Sequence, residues 1–222
     1  IRIDTRDNLV QRLKPRPNPD VNSYWMCDYG RYRYEWMNAS DRIEAPLQRD
    51  ASGKLIAGGW AQVVNALVQR ARGAGGGATV VASPYHATED AALAARLGSV
   101  MGGTANLVYR SARAVDEVVC PGFPKLARRR DLAANVRGLE ALGFTRVGDD
   151  TGKGGLQPAS VLIVVGDELE DLPADFGAHA QLFIYIGHTL TTAARNAHFV
   201  LPATTFAEQE GNAFVVGNGV NK

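Results

Sequence analysis

Cysteine is scarce in this chain: two among 222 residues, Cys27 and Cys120, far apart. That excludes a disulfide framework and makes a reducing compartment the expected one. Long apolar runs are missing too. No stretch approaches the roughly 18 consecutive apolar residues of a membrane span, so direct membrane insertion is not expected. Neither sign of charge is in excess, with 24 Lys and Arg against 23 Asp and Glu. Composition therefore makes no case for a nucleic acid or an anionic lipid surface as partner. His86, His179, His188 and His198 stand at no metal-ligand spacing, and no G-x-S-x-G elbow is present. The glycine-rich "GAGGG" at 73–77 follows a helical pattern and precedes a strand-like one. A dinucleotide fingerprint needs the reverse order, so this run reads as a linker. "GDDTGKGG" at 148–155 lacks the spacing and the Ser/Thr of a phosphate-binding loop and reads as a surface loop.

What the sequence does contain is an ordinary globular composition, 45% hydrophobic and 21% charged. A chain of this size buries roughly 70% of its unfolded surface, so it needs no staple to fold. The opening "IRIDTRDNLVQRLK" reads as two strands around Asp7-Asn8. Pro15, Pro17 and Pro19 then impose an extended segment. A short helix is predicted after Cys27 as far as Asn38, and 39–54 reads as loop. From Trp60 the pattern alternates. "WAQVVNALVQRAR" has helical spacing, and "ATEDAALAARLGSVM" reads as a helix with Thr88 as N-cap and acids in its first turn. "ATVVAS", "ANLVYR", "SVLIVVG", "QLFIYIG" and "HFVLPA" read as buried strands. "KLARRRDLAANVRGLEALGF" at 125–144 reads as a longer basic helix closed by Gly143, its arginines 128–130 a solvated face or a docking surface. The acids of "GDELEDLP" at 166–173 read as a helix cap, with a ligand role at a strand end as the alternative. Strands alternating with helices imply an α/β fold: a small strand-and-loop lobe over 1–57, then a doubly wound, mostly parallel sheet over 58–222.

One stretch exceeds what packing requires. In "VNSYWMCDYGRYRYEW", 21–36, Cys27 stands among tyrosines, tryptophans and arginines. The plainer reading is a buried apolar cysteine. Gly30 and Arg31 argue instead for a thiolate ligand, which close backbone approach and a nearby cation both favour.

Extended to Arg49, this stretch resembles the V-N-x-x-W-x-C-x-K-G-R-F…R-[IL]-x-x-P-L-x-R segment of the molybdopterin oxidoreductase superfamily. Within it, the chain is most similar to the large iron–sulfur subunits, of the G type, of respiratory NADH-quinone oxidoreductases (complex I). "SPYHATEDAALAARLGSVMGGTANL" and "AARNAHFVLPATTFAEQEGNAFV" resemble further family segments, in the family's order. The resemblance implies that Cys27 is the fourth ligand of a [4Fe-4S] cluster, the other three lying upstream of this segment. One thiolate cannot hold such a cluster. The chain opens at Ile1 without methionine, and a fragment lacking an N-terminal ferredoxin-like part is the expectation.

The family's lysine two places after the cysteine is Tyr29 here. No cysteine follows "GTANL", where Ser111 is the nearest candidate for a molybdenum ligand, and the closing arginine is missing. Molybdopterin is therefore not expected. The resemblance then implies a mainly structural domain of an oxidoreductase passing electrons from NADH to quinone. This chain would not itself be catalytic. Its partners would be the other hydrophilic-arm subunits, and its place would be peripheral, on the cytoplasmic face of a bacterial inner membrane. A molybdenum- or tungsten-pterin formate dehydrogenase domain and a cofactor-free α/β interaction domain are the alternatives. Cys120 has no counterpart in the family segments.

Overall fold

The computed structural model describes residues 1–20, 22–26, 28–110, 118–120, 123–128, 133, 135–147, 156, 159–166 and 174–209. In chain order the elements are β1 (Arg2–Arg6), β2 (Leu9–Lys14), α1 (Asp28–Tyr32), β3 (Leu47–Arg49), β4 (Leu55–Ala57) and α2 (Trp60–Gly73). There follow β5 (Ala78–Ala82), α3 (Thr88–Gly102), β6 (Ala105–Tyr109), β7 (Val118–Cys120) and β8 (Phe123–Arg128). Last come α4 (Val136–Ala141), β9 (Thr145–Arg146), β10 (Val161–Val165), β11 (Leu182–Gly187) and β12 (Phe199–Pro202).

The fold is mixed α/β around one large sheet, ordered β4-β3-β12-β11-β10-β5-β6-β9. From β12 to β9 every pairing is parallel; β3 and β4 extend the other edge antiparallel. The central strands are apolar at nearly every position because both faces are covered. Val80, Ile163 and Ile184 point to one face, where α2, α3 and α4 contribute Val63, Leu67, Ala91, Ala94 and Leu139. Val81, Val164, Phe183 and Tyr185 point to the other. There Ile43, Ala180, Ala194 and Ala197 cover them, and Phe176 meets Phe183 edge-on at 5.8 Å between ring centroids. Each fully buried side chain of this size contributes roughly 1.5–3 kcal/mol, so this two-sided core fixes the sheet. Helix α3 lies very close to β5: a Cβ at Gly98 would stand 2.5 Å from Val80 Cγ2, and one at Gly102 2.5 Å from the Ala78 nitrogen.

The N-terminal hairpin β1–β2 turns at Asp7 and Asn8, both left-handed with φ 52° and 59°. That is the two-residue turn whose twist suits a hairpin. The Asn38 side chain clasps the Val10 backbone, accepting from its N–H and donating to its carbonyl, both at 2.8 Å.

Three sequence expectations change. The helix expected over 125–144 is α4 alone in its second half, while Phe123–Arg128 pairs antiparallel with Val118–Cys120 as β8. "KLARRR" carries only two apolar residues in six, too weak a helical stripe to compete with strand pairing. Thr88 is not the N-cap but the first residue of α3, after Ala87. Its hydroxyl donates to Asn135 Oδ1 at 3.0 Å instead. Finally, 39–54, read as loop, contains β3, which joins the large sheet beside β12.

Candidate functional site at the carboxyl edge of the sheet

The chain enters the parallel sheet at β5 and proceeds outward through β6 to β9. It then returns to the other side of β5 as β10 and proceeds through β11 to β12. The direction therefore reverses between β5 and β10. In open α/β sheets that reversal, at the carboxyl ends of the strands, is where ligands bind. The residues that emerge there are Ser83 after β5 and Gly166 after β10, followed outward by Arg110, His188 and Ala203.

At the reversal the strand ends touch. The Ser83 N–H donates to the Val165 carbonyl at 2.8 Å, and the Gly166 N–H to that of Ile186 at 2.9 Å. Gly166 is left-handed, φ 107°. A Cβ there would lie 2.4 Å from Ser83 Cβ and 2.9 Å from His86 Cδ2. The loop from Ser83 to Ala87 is pinned from beneath by Asn135, which is fully buried. Its N–H donates to the Pro84 carbonyl at 2.9 Å and its side-chain amide donates to the His86 carbonyl at 2.9 Å, while its Oδ1 accepts from Thr88. His86 Nδ1 lies 3.9 Å from Asp90 Oδ2, an electrostatic distance rather than a hydrogen bond.

At the β11–β12 end the N-terminal lobe closes over the sheet. The Ile43 N–H donates to the His188 carbonyl at 2.8 Å, and the Trp36 ring lies 4.9 Å from the His188 ring and 6.0 Å from Phe206. Arg42 meets Glu208 with both guanidinium nitrogens, at 3.1 and 2.9 Å. Glu208 also accepts from the Thr205 N–H at 2.8 Å and the Thr205 hydroxyl at 3.0 Å. The Arg42 guanidinium holds the Glu208 carboxyl below its ordinary pKa; burial, next in size, opposes it, and the Thr205 donors add to the lowering. One turn of chain away, the Arg49 N–H donates to the His198 carbonyl at 2.8 Å, and its guanidinium to the carbonyls of Ala197 (2.9 Å) and Arg195. His198 Nδ1 accepts the Phe183 N–H at 2.9 Å. Burial first, then the charges of Arg70 and Arg49, push its pKa down to about 4.

Arg42 and Arg49 belong to the first motif, Thr205 and Glu208 to the last. The structure brings them together as a joint: Arg42 meets Glu208, Arg49 meets the carbonyls of Ala197 and Arg195, and Thr205 holds Glu208 from within its own segment. The readable signal was the T-x-x-E spacing of Thr205 and Glu208, of which the structure forms one half, the Glu208 carboxylate accepting the Thr205 N–H. Asn135 and His198 carried no local signal at all.

Cys27, the predicted metal ligand, lies outside the described residues, as do Ser111, the loop 148–155 and the acids of 167–173. Among the described residues, no three of His, Cys, Asp and Glu converge as a metal site would require. With two cysteines in the sequence, a four-thiolate set cannot be assembled from this chain alone. An open cavity of about 570 Å³ lies at the opposite edge, between Gly77, Thr79, Thr104, Asn106 and Ser160. Among the described residues its lining carries no charged group, and it sits at the amino ends of the strands. No helix among the described residues is long and apolar enough to cross a membrane.

No protein-family model matches the chain. Among curated proteins, it is 27% identical over 171 residues to the G-type NADH-quinone oxidoreductase subunit of Streptomyces coelicolor, a match covering 77% of this chain and 20% of that protein. It is 32% identical over 102 residues to NADH-quinone oxidoreductase subunit 3 of Thermus thermophilus, covering 46% of this chain and 13% of the relative. It is 38% identical over 60 residues to the mitochondrial NADH dehydrogenase [ubiquinone] iron-sulfur protein 1 of Solanum tuberosum, covering 27% and 8%. The chain thus spans a fifth or less of the length of these relatives. Over most of its own length it is similar to one segment of the G-type subunits of NADH-quinone oxidoreductases.

Proposed function

We propose that this chain is a scaffold segment of the large iron–sulfur subunit type of an NADH-quinone oxidoreductase. Residues 1–57 correspond to a cluster-bearing lobe and 58–222 to its α/β lobe. In that assembly electrons pass from NADH to quinone through groups held elsewhere. This chain positions its neighbours, the hydrophilic-arm subunits, at the cytoplasmic face of a bacterial inner membrane. The observation that carries the reading is the joint itself. The family-like end segments commit their charged side chains to one another, Arg42 to Glu208 and Arg49 to the 195–198 carbonyls. Residues so committed fit a load-transmitting domain better than a substrate site.

Cys27 supplies one thiolate of a [4Fe-4S] cluster, whose remaining ligands lie outside this sequence. Metal analysis and low-temperature EPR on the anaerobically purified native assembly test this. About four irons per chain and a reducible cubane signal, both lost in Cys27→Ser, are expected. Iron and signal unchanged by that substitution would remove Cys27 from the cluster. Co-purification without NADH:quinone activity would sink the respiratory assignment.

A further inference from the structure

We draw no further inference here: the strongest candidate, the exposed apolar residues Trp60, Val64 and Val68 of α2 and Leu93 and Val100 of α3, carries nothing because nothing in the structure shows what covers them.

Discussion

Asn135 and Gly138 offer a test of how the strand-end loop is held, because the two can be perturbed separately and together. Asn135 is buried, and its side chain makes bonds of 2.9 Å to the His86 carbonyl and 3.0 Å to the Thr88 hydroxyl. Each such bond is worth about 1 kcal/mol net, and an orphaned buried carbonyl costs about 1–3 kcal/mol more. Asn135→Ala should therefore destabilise by about 3 kcal/mol, or ~6–12 °C in melting temperature for a chain of this size. Gly138 lies directly beneath: a Cβ there would come within 2.1 Å of Asn135 Oδ1 and 2.6 Å of Thr88 Oγ1. Helix propensity alone would favour Gly138→Ala by about 1 kcal/mol. The clash instead turns Asn135 away and breaks the same bonds, so in the native chain the change should cost about 2 kcal/mol. With Asn135→Ala already present the main obstacle is gone, and adding Gly138→Ala should be neutral or mildly stabilising. The double-mutant cycle, followed by urea unfolding and by exchange of the amides at 85–87, should show a coupling of about 2 kcal/mol. Single effects that simply add, within about 0.5 kcal/mol, would refute the claim that Asn135 is the pin of this loop.

Other expectations follow from the same geometry. His198 is neutral when folded, with its pKa near 4 against 6.5 unfolded, so the unfolded chain takes up a proton first as the pH drops. Its contribution is complete above about 6.5 and is lost as pH falls from there through 4. Because the ring is half solvated, the loss should be about 1–2 kcal/mol rather than the full shift. Urea unfolding between pH 7 and 4.5 should show it, and His198→Asn, whose Oδ1 can accept the Phe183 N–H, should flatten the slope; an unchanged slope would count against the assignment. Glu208→Gln should cost about 1 kcal/mol and remove a salt-sensitive component of stability. Because the Glu208 pKa is lowered on folding, that component is present above the ordinary carboxylate range and disappears in acid. Gly166→Ala, which combines φ 107° with a 2.4 Å approach to Ser83, should cost about 3 kcal/mol or more. A variant that melts within a degree or two of the parent chain would show that the β5 and β10 ends can part freely.

The central strands were legible because they are local statements: four or five consecutive apolar residues bounded by turns, as in "VLIVV" and "LFIYIG", leave few alternatives for a chain buried on both faces. The hairpin at Asp7-Asn8 was legible for the same reason, since its turn chemistry lies within two residues. Strand β8 was not, because its pairing with β7 depends on a partner strand rather than on its own periodicity. β3 was missed likewise: three half-buried residues become a strand only when β12 lies alongside. The sequence by itself determined the α/β class, the parallel core and the segments that resemble those of the G-type subunits. The tertiary structure alone decided which side chains of those segments meet. Arg42 and Glu208 are 166 positions apart, and no local pattern can announce that one guanidinium will meet one carboxylate across the end of a sheet. Side-chain chemistry is written residue by residue, but which groups satisfy one another is set by the packing of distant segments, and that packing uses the charged residues to hold the chain together.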